Sequence, residues 1–125
     1  MREVILTEEA PRPIVPFSQA IRANGLLFLS GQVAIDAATQ QPIGGDVAAQ
    51  ADCVLENLSR VLRAAGSSLD KVVRSTVFLK NLEDFGRFNE VYGRYFVTDP
   101  PARTTVEVAR LPGDVLVEID VIALA

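Results

Sequence analysis

Residues 103–124 read RTTVEVARLPGDVLVEIDVIAL, and this stretch decides the fold because its side chains alternate in character on both sides of a Pro-Gly break. Such alternation is typical of β-strands, since successive side chains point to opposite faces of a sheet. We therefore predict two strands, Arg103–Ala109 and Val115–Leu124, joined through Leu111–Asp114. The short connection predicts that these strands pair with each other as a hairpin.

The second of these strands has two faces of different character. One row is wholly apolar and consists of Val115, Val117, Ile119, Val121 and Ala123. The other row holds two acids, Glu118 and Asp120, between apolar residues, which fits neither an ordinary exposed face nor an ordinary buried one. We interpret it as a face that is mostly covered yet keeps contact with water or a ligand.

The predicted hairpin brings Arg103 and Thr105 to the face that carries Glu118 and Asp120. An arginine, a hydroxyl and two carboxylates would then share one half-covered surface. The pattern alone leaves three explanations open. They are a ligand site, a cross-strand ion pair contributing about 0–1 kcal/mol, and an oligomer interface without chemistry.

The rest of the chain mixes strands and helices without strict alternation. Asn24-Gly25 between two apolar arms predicts a tight hairpin turn, and helical spacing of apolar residues predicts two helices. The predicted order is strand 3–7, hairpin 20–29, helix 46–65, strand 72–80, helix 82–96 and the final hairpin. The fold class is therefore α+β, a mostly antiparallel sheet with two helices packed on one face, in a single domain of residues 1–125.

Composition excludes several kinds of chemistry. The 125 residues include no histidine and one cysteine, Cys53, which excludes Ser–His–Asp and Cys–His catalysis, histidine zinc sites and an intrachain disulfide. We expect neither a metal nor a cofactor. A formal net charge of −4 argues against nucleic acid as a partner. No apolar stretch approaches the roughly twenty residues of a membrane span, and with no targeting pattern a cytoplasmic protein is expected.

The C-terminal stretch resembles a known family. Residues 101–112, PARTTVEVARLP, followed by Val117-Glu118-Ile119, are similar to the signature of the RidA family, also called the YjgF or L-PSP family. The resemblance continues in Ser30-Gly31-Gln32, in residues 76–79 and in Phe88-Asn89-Glu90-Val91-Tyr92, so that it covers essentially the whole chain. It implies a chorismate-mutase-like fold and a homotrimer with three clefts between subunits.

The resemblance also implies a function. RidA-type proteins hydrolyse reactive enamines and imines, such as 2-aminoacrylate, to 2-keto acids and ammonia, so the implied partner is a small imine or 2-keto acid. Arg103 would hold the substrate carboxylate, and Glu118 would position or activate water. The further substrate-binding residues that the resemblance implies are Phe17, Ser30, Gly31, Asn89 and Thr105.

Position 17 departs from the family pattern, in which many members carry Tyr. Phe17 keeps the ring and loses a hydroxyl, and one hydrogen bond is worth about 0.5–1.5 kcal/mol, so turnover or substrate preference should change. Thr105 stands where some members have Cys, and Ser30 could equally be the turn residue that ends its hairpin. Two alternatives stay open: a non-catalytic binder of 2-keto acids or small carboxylates that acts as a metabolic sensor or regulator, and a less favoured ribonuclease or translation inhibitor.

Overall fold

The structure, a computed structural model, describes residues 1–125 and contains six strands and two α-helices. In chain order they are β1 (Glu3–Ile5), β2 (Ala20–Ala23), β3 (Leu26–Gln32), α1 (Val47–Ala64), β4 (Val72–Leu79), α2 (Phe85–Tyr95), β5 (Ala102–Glu107) and β6 (Val117–Leu124). Neither helix combines the length and the apolar character that crossing a membrane would require. The predicted α+β class is confirmed, with both helices on one face of a sheet in which all strand pairs but one are antiparallel.

The local signals for the first hairpin and the first helix are confirmed. Asn24 and Gly25 adopt φ of 52° and 74°, the left-handed conformation that a tight turn between β2 and β3 requires. At the start of α1, the Asp46 side chain accepts a hydrogen bond from the Ala49 backbone N–H at 2.9 Å. Just beyond its end, Gly66 has φ of +82°, the usual conformation for a residue that stops a helix.

The order of strands across the sheet, β1-β2-β3-β6-β4-β5, shows that the predicted final hairpin is wrong. β6 lies between β3 and β4 and pairs antiparallel with both, whereas β5 pairs only with β4, in parallel, at the edge of the sheet. The physical reason is that β6 has one wholly buried apolar row, while most of its opposite row is half-buried, so that neighbours on both sides stabilise this strand. β5 exposes Thr104, Val106 and Glu107, which suits an edge strand.

The sheet has one covered and one uncovered face. Twenty-five buried apolar residues form the core between the sheet and the helices, including Leu55 and Leu58 of α1 and Ile119 of β6. We call the opposite side the open face. It carries Phe28, Phe78, Val106, Ile122 and Leu124 together with Glu118 and Asp120. Phe28 remains 42% exposed and Leu124 49% exposed, so this side of the sheet is apolar without being covered by the chain itself.

Candidate functional site

Arg103 extends from the edge strand β5 toward α2. It is the register partner of Ser75, which is fully buried, so both side chains lie on the helix-covered face of the sheet. The Arg103 Nη2 donates a hydrogen bond to the Asn89 side-chain oxygen of α2 at 2.8 Å. Arg103 is half-buried, yet it forms no ion pair with any acid of the chain.

Three aromatic rings of α2 surround the guanidinium instead. Its central carbon lies 5.6 Å from the ring centres of Phe85 and Phe88 and 4.7 Å from that of Tyr92. Such rings attract a cation without neutralising its charge. A cavity of about 300 Å³ adjoins this arginine and is lined by Asn89, Tyr92, Gly93, Phe96, Pro100, Pro101 and Arg103. The arrangement leaves a planar cation free to bind a small anion.

Glu118 lies on the open face, against the backbone of Gly31 in β3. A Cβ atom added to Gly31 would lie 2.1 Å from the Glu118 Oε2, so the carboxylate occupies the space that any other residue at position 31 would fill. The strand pairing is irregular between Leu29 and Gln32, at the same place. Burial raises the pKa of the Glu118 carboxyl, and the negative charge of Asp120 raises it further.

The prediction that Arg103 and Thr105 share a face with Glu118 and Asp120 is wrong. In the sheet, Arg103 aligns with Ser75 and Val121 on the helix side. Glu118 aligns with Phe78, on the open side. The prediction assigned the faces by assuming that β5 and β6 pair directly through a hairpin turn. Because β4 lies between β5 and β6, that assignment of faces does not hold. The sheet itself therefore separates the guanidinium from the carboxylate within one chain.

The remaining predicted residues divide between these two places. Asn89 binds Arg103, and Thr105 lies two residues along the same face, where its hydroxyl is the only buried side-chain polar atom of the chain without a hydrogen-bond partner. Ser30 donates its hydroxyl to the Ser18 carbonyl at 2.6 Å, a contact that closes the loop beside Gly31. Phe17, which directly precedes Ser18 in the chain, is 47% exposed. We call the group on the helix side, Arg103 with Asn89 and Thr105, the arginine half of the site. The group on the open face, Glu118 with Gly31 and Ser30, is called the glutamate half.

The contact of Tyr92 with Arg103 was not predicted from the sequence. The Tyr92 ring is buried, and its hydroxyl forms a 2.6 Å hydrogen bond with the Ser75 hydroxyl on the adjoining strand. The helical spacing of residues 85, 88, 89 and 92 places three rings and an amide on one side of α2. That signal was present in the sequence, whereas the position of β5 beside this side of the helix was not.

Elsewhere, no group of three or more cysteine, aspartate and glutamate side chains comes together so as to hold a metal ion. Cys53 is half-buried on α1 and its thiol contacts the Ile35 carbonyl oxygen at 3.5 Å. Burial raises the pKa of this thiol, which keeps it protonated. Its surroundings fit a packing residue.

Comparison with known proteins gives consistent results over nearly the full chain. The sequence profile described as "Endoribonuclease L-PSP" matches residues 7–125. A RutC family protein of Saccharolobus solfataricus is 53% identical over 123 residues, covering 98% of each chain. Among solved structures, the Rid family protein YyfA of Yersinia pestis is 42% identical, with a TM-score of 0.96 and full coverage of both chains. TdcF of E. coli, solved with bound serine, is 38% identical with a TM-score of 0.93 and 98% coverage of both.

Proposed function

The chain belongs to the endoribonuclease L-PSP family, which includes the Rid proteins, and from this membership we propose that it is an imine deaminase. The proposed substrates are small 2-imino acids and their enamine tautomers, which it converts to 2-keto acids and ammonia. The observation that carries the proposal is the half-buried guanidinium of Arg103, which has three aromatic neighbours, a hydrogen bond to Asn89 and no acid partner.

Arg103 is suited to hold the carboxylate of such a substrate. A guanidinium presents parallel N–H donors that match the two oxygens of a carboxylate, and it keeps its charge at any physiological pH. One of its nitrogens already donates to Asn89, which restricts the plane of the group. The bound serine in the TdcF structure is a small molecule with a carboxylate, and its size suits a cavity of about 300 Å³.

Glu118 supplies the proton transfers that hydrolysis needs. Water adds to the electrophilic imine carbon, and the carboxylate accepts a proton from that water as the C–O bond forms. The protonated Glu118 then gives this proton to the nitrogen, which completes a carbinolamine. Glu118 next accepts the remaining proton of the former water from the carbinolamine hydroxyl and passes it to the nitrogen, so that the C=O bond forms as the C–N bond breaks and ammonia leaves with the 2-keto acid as the other product. The raised pKa of the Glu118 carboxyl suits this role, because it makes the carboxylate a stronger base than an ordinary carboxylate.

The two halves of the site require more than one copy of the chain. Arg103 and Glu118 lie on opposite sides of the sheet, so a ligand that touches both must bind between the arginine half of one copy and the glutamate half of another. The apolar open face supports such an assembly. Burial of exposed apolar residues such as Phe28 and Leu124 against a second copy would stabilise the oligomer. We propose a homotrimer, in which head-to-tail contacts close into a ring with equivalent clefts.

An assay of imine decay tests the activity. Imines produced in situ by an amino-acid oxidase are followed with and without the purified protein. We expect Glu118→Gln to lower kcat by about 100-fold or more and Arg103→Ala to raise KM by about 10- to 100-fold. Arg103→Lys is the matched control, since it keeps the charge and loses the planar fork. Decay by Arg103→Ala at the unmutated rate would contradict the mechanism.

One observation favours a second candidate, a protein that binds 2-keto acids without turning over imines. Phe17 directly precedes Ser18, whose carbonyl accepts the Ser30 hydroxyl, and it carries no hydroxyl that could help to orient water. Calorimetry with 2-oxobutyrate distinguishes the two functions, because a pure binder gives a measurable Kd and no acceleration of imine decay. The variant Phe17→Tyr restores the missing hydroxyl and should raise turnover only if the site is catalytic.

A further inference from the structure

A buried pair of hydroxyls lies beneath the arginine half of the site. The Ser75 hydroxyl of β4 and the Tyr92 hydroxyl of α2 are 2.6 Å apart, and both side chains are almost completely shielded from water. Ser75 is also the register partner of Arg103 on the neighbouring strand. The serine that anchors the tyrosine is therefore fixed by the same backbone pairing that fixes the arginine.

The Tyr92 ring is the nearest of the three rings to the guanidinium, with 4.7 Å between its centre and the central carbon of Arg103. On its other sides the ring packs against Phe88 and Phe96, at centre-to-centre distances of 5.5 Å and 4.6 Å. Packing alone allows small shifts of an aromatic ring, because it is not directional. A hydrogen bond from the hydroxyl at the far end of the ring is directional and restrains those shifts. Tyr92 is thus held at both ends, by packing and by Ser75.

The orientation of the guanidinium matters because two parallel hydrogen bonds form only when the guanidinium and the carboxylate are nearly coplanar. Asn89 restrains one edge of the group through a single hydrogen bond, about which the guanidinium can still rotate. A ring held rigidly beneath the guanidinium supplies the second restraint. No acid of the chain contributes to this restraint, so the positive charge stays available.

We propose that Tyr92, anchored by Ser75, is a positioning residue that sets the plane of the Arg103 guanidinium for two-point binding of the substrate carboxylate. This inference rests on the proposed function in one respect, namely that Arg103 binds a carboxylate. It differs from a purely structural role, in which the Ser75–Tyr92 bond would only attach α2 to the sheet. The two roles predict different behaviour of affinity and stability.

The experiment measures the Kd of pyruvate by calorimetry and the free energy of unfolding by denaturant titration, on the assembled protein. We expect Tyr92→Phe and Ser75→Ala each to raise the Kd by about 3- to 10-fold. The double variant should raise the Kd by the same factor as either single variant, because both changes remove the same hydrogen bond between Ser75 and Tyr92. Its stability should exceed that of the single variants, since no buried hydroxyl is left without a partner.

Tyr95→Phe is the matched control. It removes a phenolic hydroxyl from the same helix, but that hydroxyl donates to the Asp52 side chain and lies away from Arg103. We expect its Kd for pyruvate to equal that of the unmutated protein. A double variant that regained both stability and affinity would show that the pair acts only structurally, and the proposal would be overturned.

The outcomes also separate this inference from the proposed function. Pyruvate binding that weakens as predicted, in a protein that does not accelerate imine decay, supports the positioning role and rejects the deaminase. Imine turnover together with an unchanged Kd and KM in Tyr92→Phe rejects the positioning role and keeps the deaminase. Absence of pyruvate binding by the unmutated protein overturns the positioning role, because no carboxylate affinity would then exist to be tuned.

Discussion

At the scale of single residues, the position of the Glu118 carboxylate depends on the absence of a side chain at Gly31. A Cβ at that position would lie 2.1 Å from the Glu118 Oε2, so the carboxylate must move. Because displacement of a catalytic group by about 1 Å can lower a rate by about 100-fold, we expect Gly31→Ala to lower kcat by that order. Steady-state kinetics of imine hydrolysis measures the effect.

The control for this change is Gly86→Ala on α2. A Cβ at Gly86 meets nothing within 4 Å, and alanine is favoured over glycine in a helix by about 0.5–1 kcal/mol. We expect this variant to keep its kcat and to unfold at a slightly higher denaturant concentration. A Gly31→Ala variant with unchanged kcat would mean that Glu118 is not the proton carrier.

The pair formed by Glu118 and Asp120 predicts the pH dependence of the reaction. Burial, and then the charge of Asp120, raise the pKa of Glu118 above its ordinary value of 4.5. A base with a raised pKa loses its proton-accepting form earlier as the pH falls, so the acid limb of the kcat/KM profile should lie above pH 4.5. Asp120→Asn removes the repelling charge, and the acid limb should move to lower pH.

The opposite shift, or none, would contradict this assignment. Asp120→Asn is informative because Asp120 has no role in the proposed chemistry, and an effect on the limb must act through its charge. The Glu118→Gln variant serves as the reference, since the acid limb should disappear from its residual activity. A limb that persists in that variant would belong to another group.

At the scale of elements, the start of α1 combines a cap and an ion pair on one carboxylate. The Asp46 side chain accepts from the Ala49 backbone N–H at 2.9 Å, and its other oxygen lies 2.8 Å from the Arg87 guanidinium of α2. Loss of a helix cap costs about 0.5–2 kcal/mol, whereas an exposed ion pair contributes about 0–1 kcal/mol. We expect Asp46→Ala to lower the free energy of unfolding by about 1 kcal/mol.

Arg87→Ala distinguishes the two contributions, because it removes the ion pair and keeps the cap. Denaturant titration should find this variant much closer to the unmutated protein than Asp46→Ala. Equal destabilisation of the two variants would mean that the link between the helices, and not the cap, carries the energy.

These elements also show what the sequence could and could not predict. The turn at Asn24-Gly25 and the first helix were predicted because each depends on residues that are close together in the chain. The pairing of β5 with β6 was wrong because strand order depends on partners that lie far away in the chain. The mixed second face of β6, which carries Ile122 and Leu124 beside two acids, was the available clue that this strand lies inside the sheet.

At the scale of the whole molecule, the sheet divides the candidate site, and this division predicts complementation between inactive variants. Arg103→Ala inactivates the arginine half of the site and leaves the glutamate half intact, whereas Glu118→Gln does the reverse. When the two are refolded together at equal amounts, random assembly gives about one quarter of the clefts an intact arginine and an intact glutamate. We therefore expect the mixture to recover about one quarter of the unmutated activity.

The recovery should require assembly, which light scattering of the same samples monitors. Each variant refolded alone is the control and should stay inactive. A mixture that remains inactive despite forming mixed oligomers would indicate that both groups act within one chain, in conflict with their positions on opposite faces of the sheet.

The residues of the candidate site were nevertheless within reach of the sequence. Arg103, Glu118, Gly31 and Asn89 were singled out from the pattern and the family resemblance, and the structure gives Arg103 a contact with Asn89 and Glu118 a contact with Gly31. Their division into two halves could not be predicted from the sequence, because it follows from the order of strands in the sheet. A sequence pattern reports which face of a strand a residue occupies, and it leaves the neighbouring strand undetermined.

The position of β4 between Arg103 and Glu118 has a consequence for the timing of activity after synthesis. Under the proposed assembly, a newly made chain folds with both halves in place but remains silent until it meets other copies. Turnover per chain should then rise with abundance and fall on dilution. In a cell that makes only a few copies, most chains would stay unassembled and inactive. A modest increase in expression would then raise both the assembled fraction and the activity per chain.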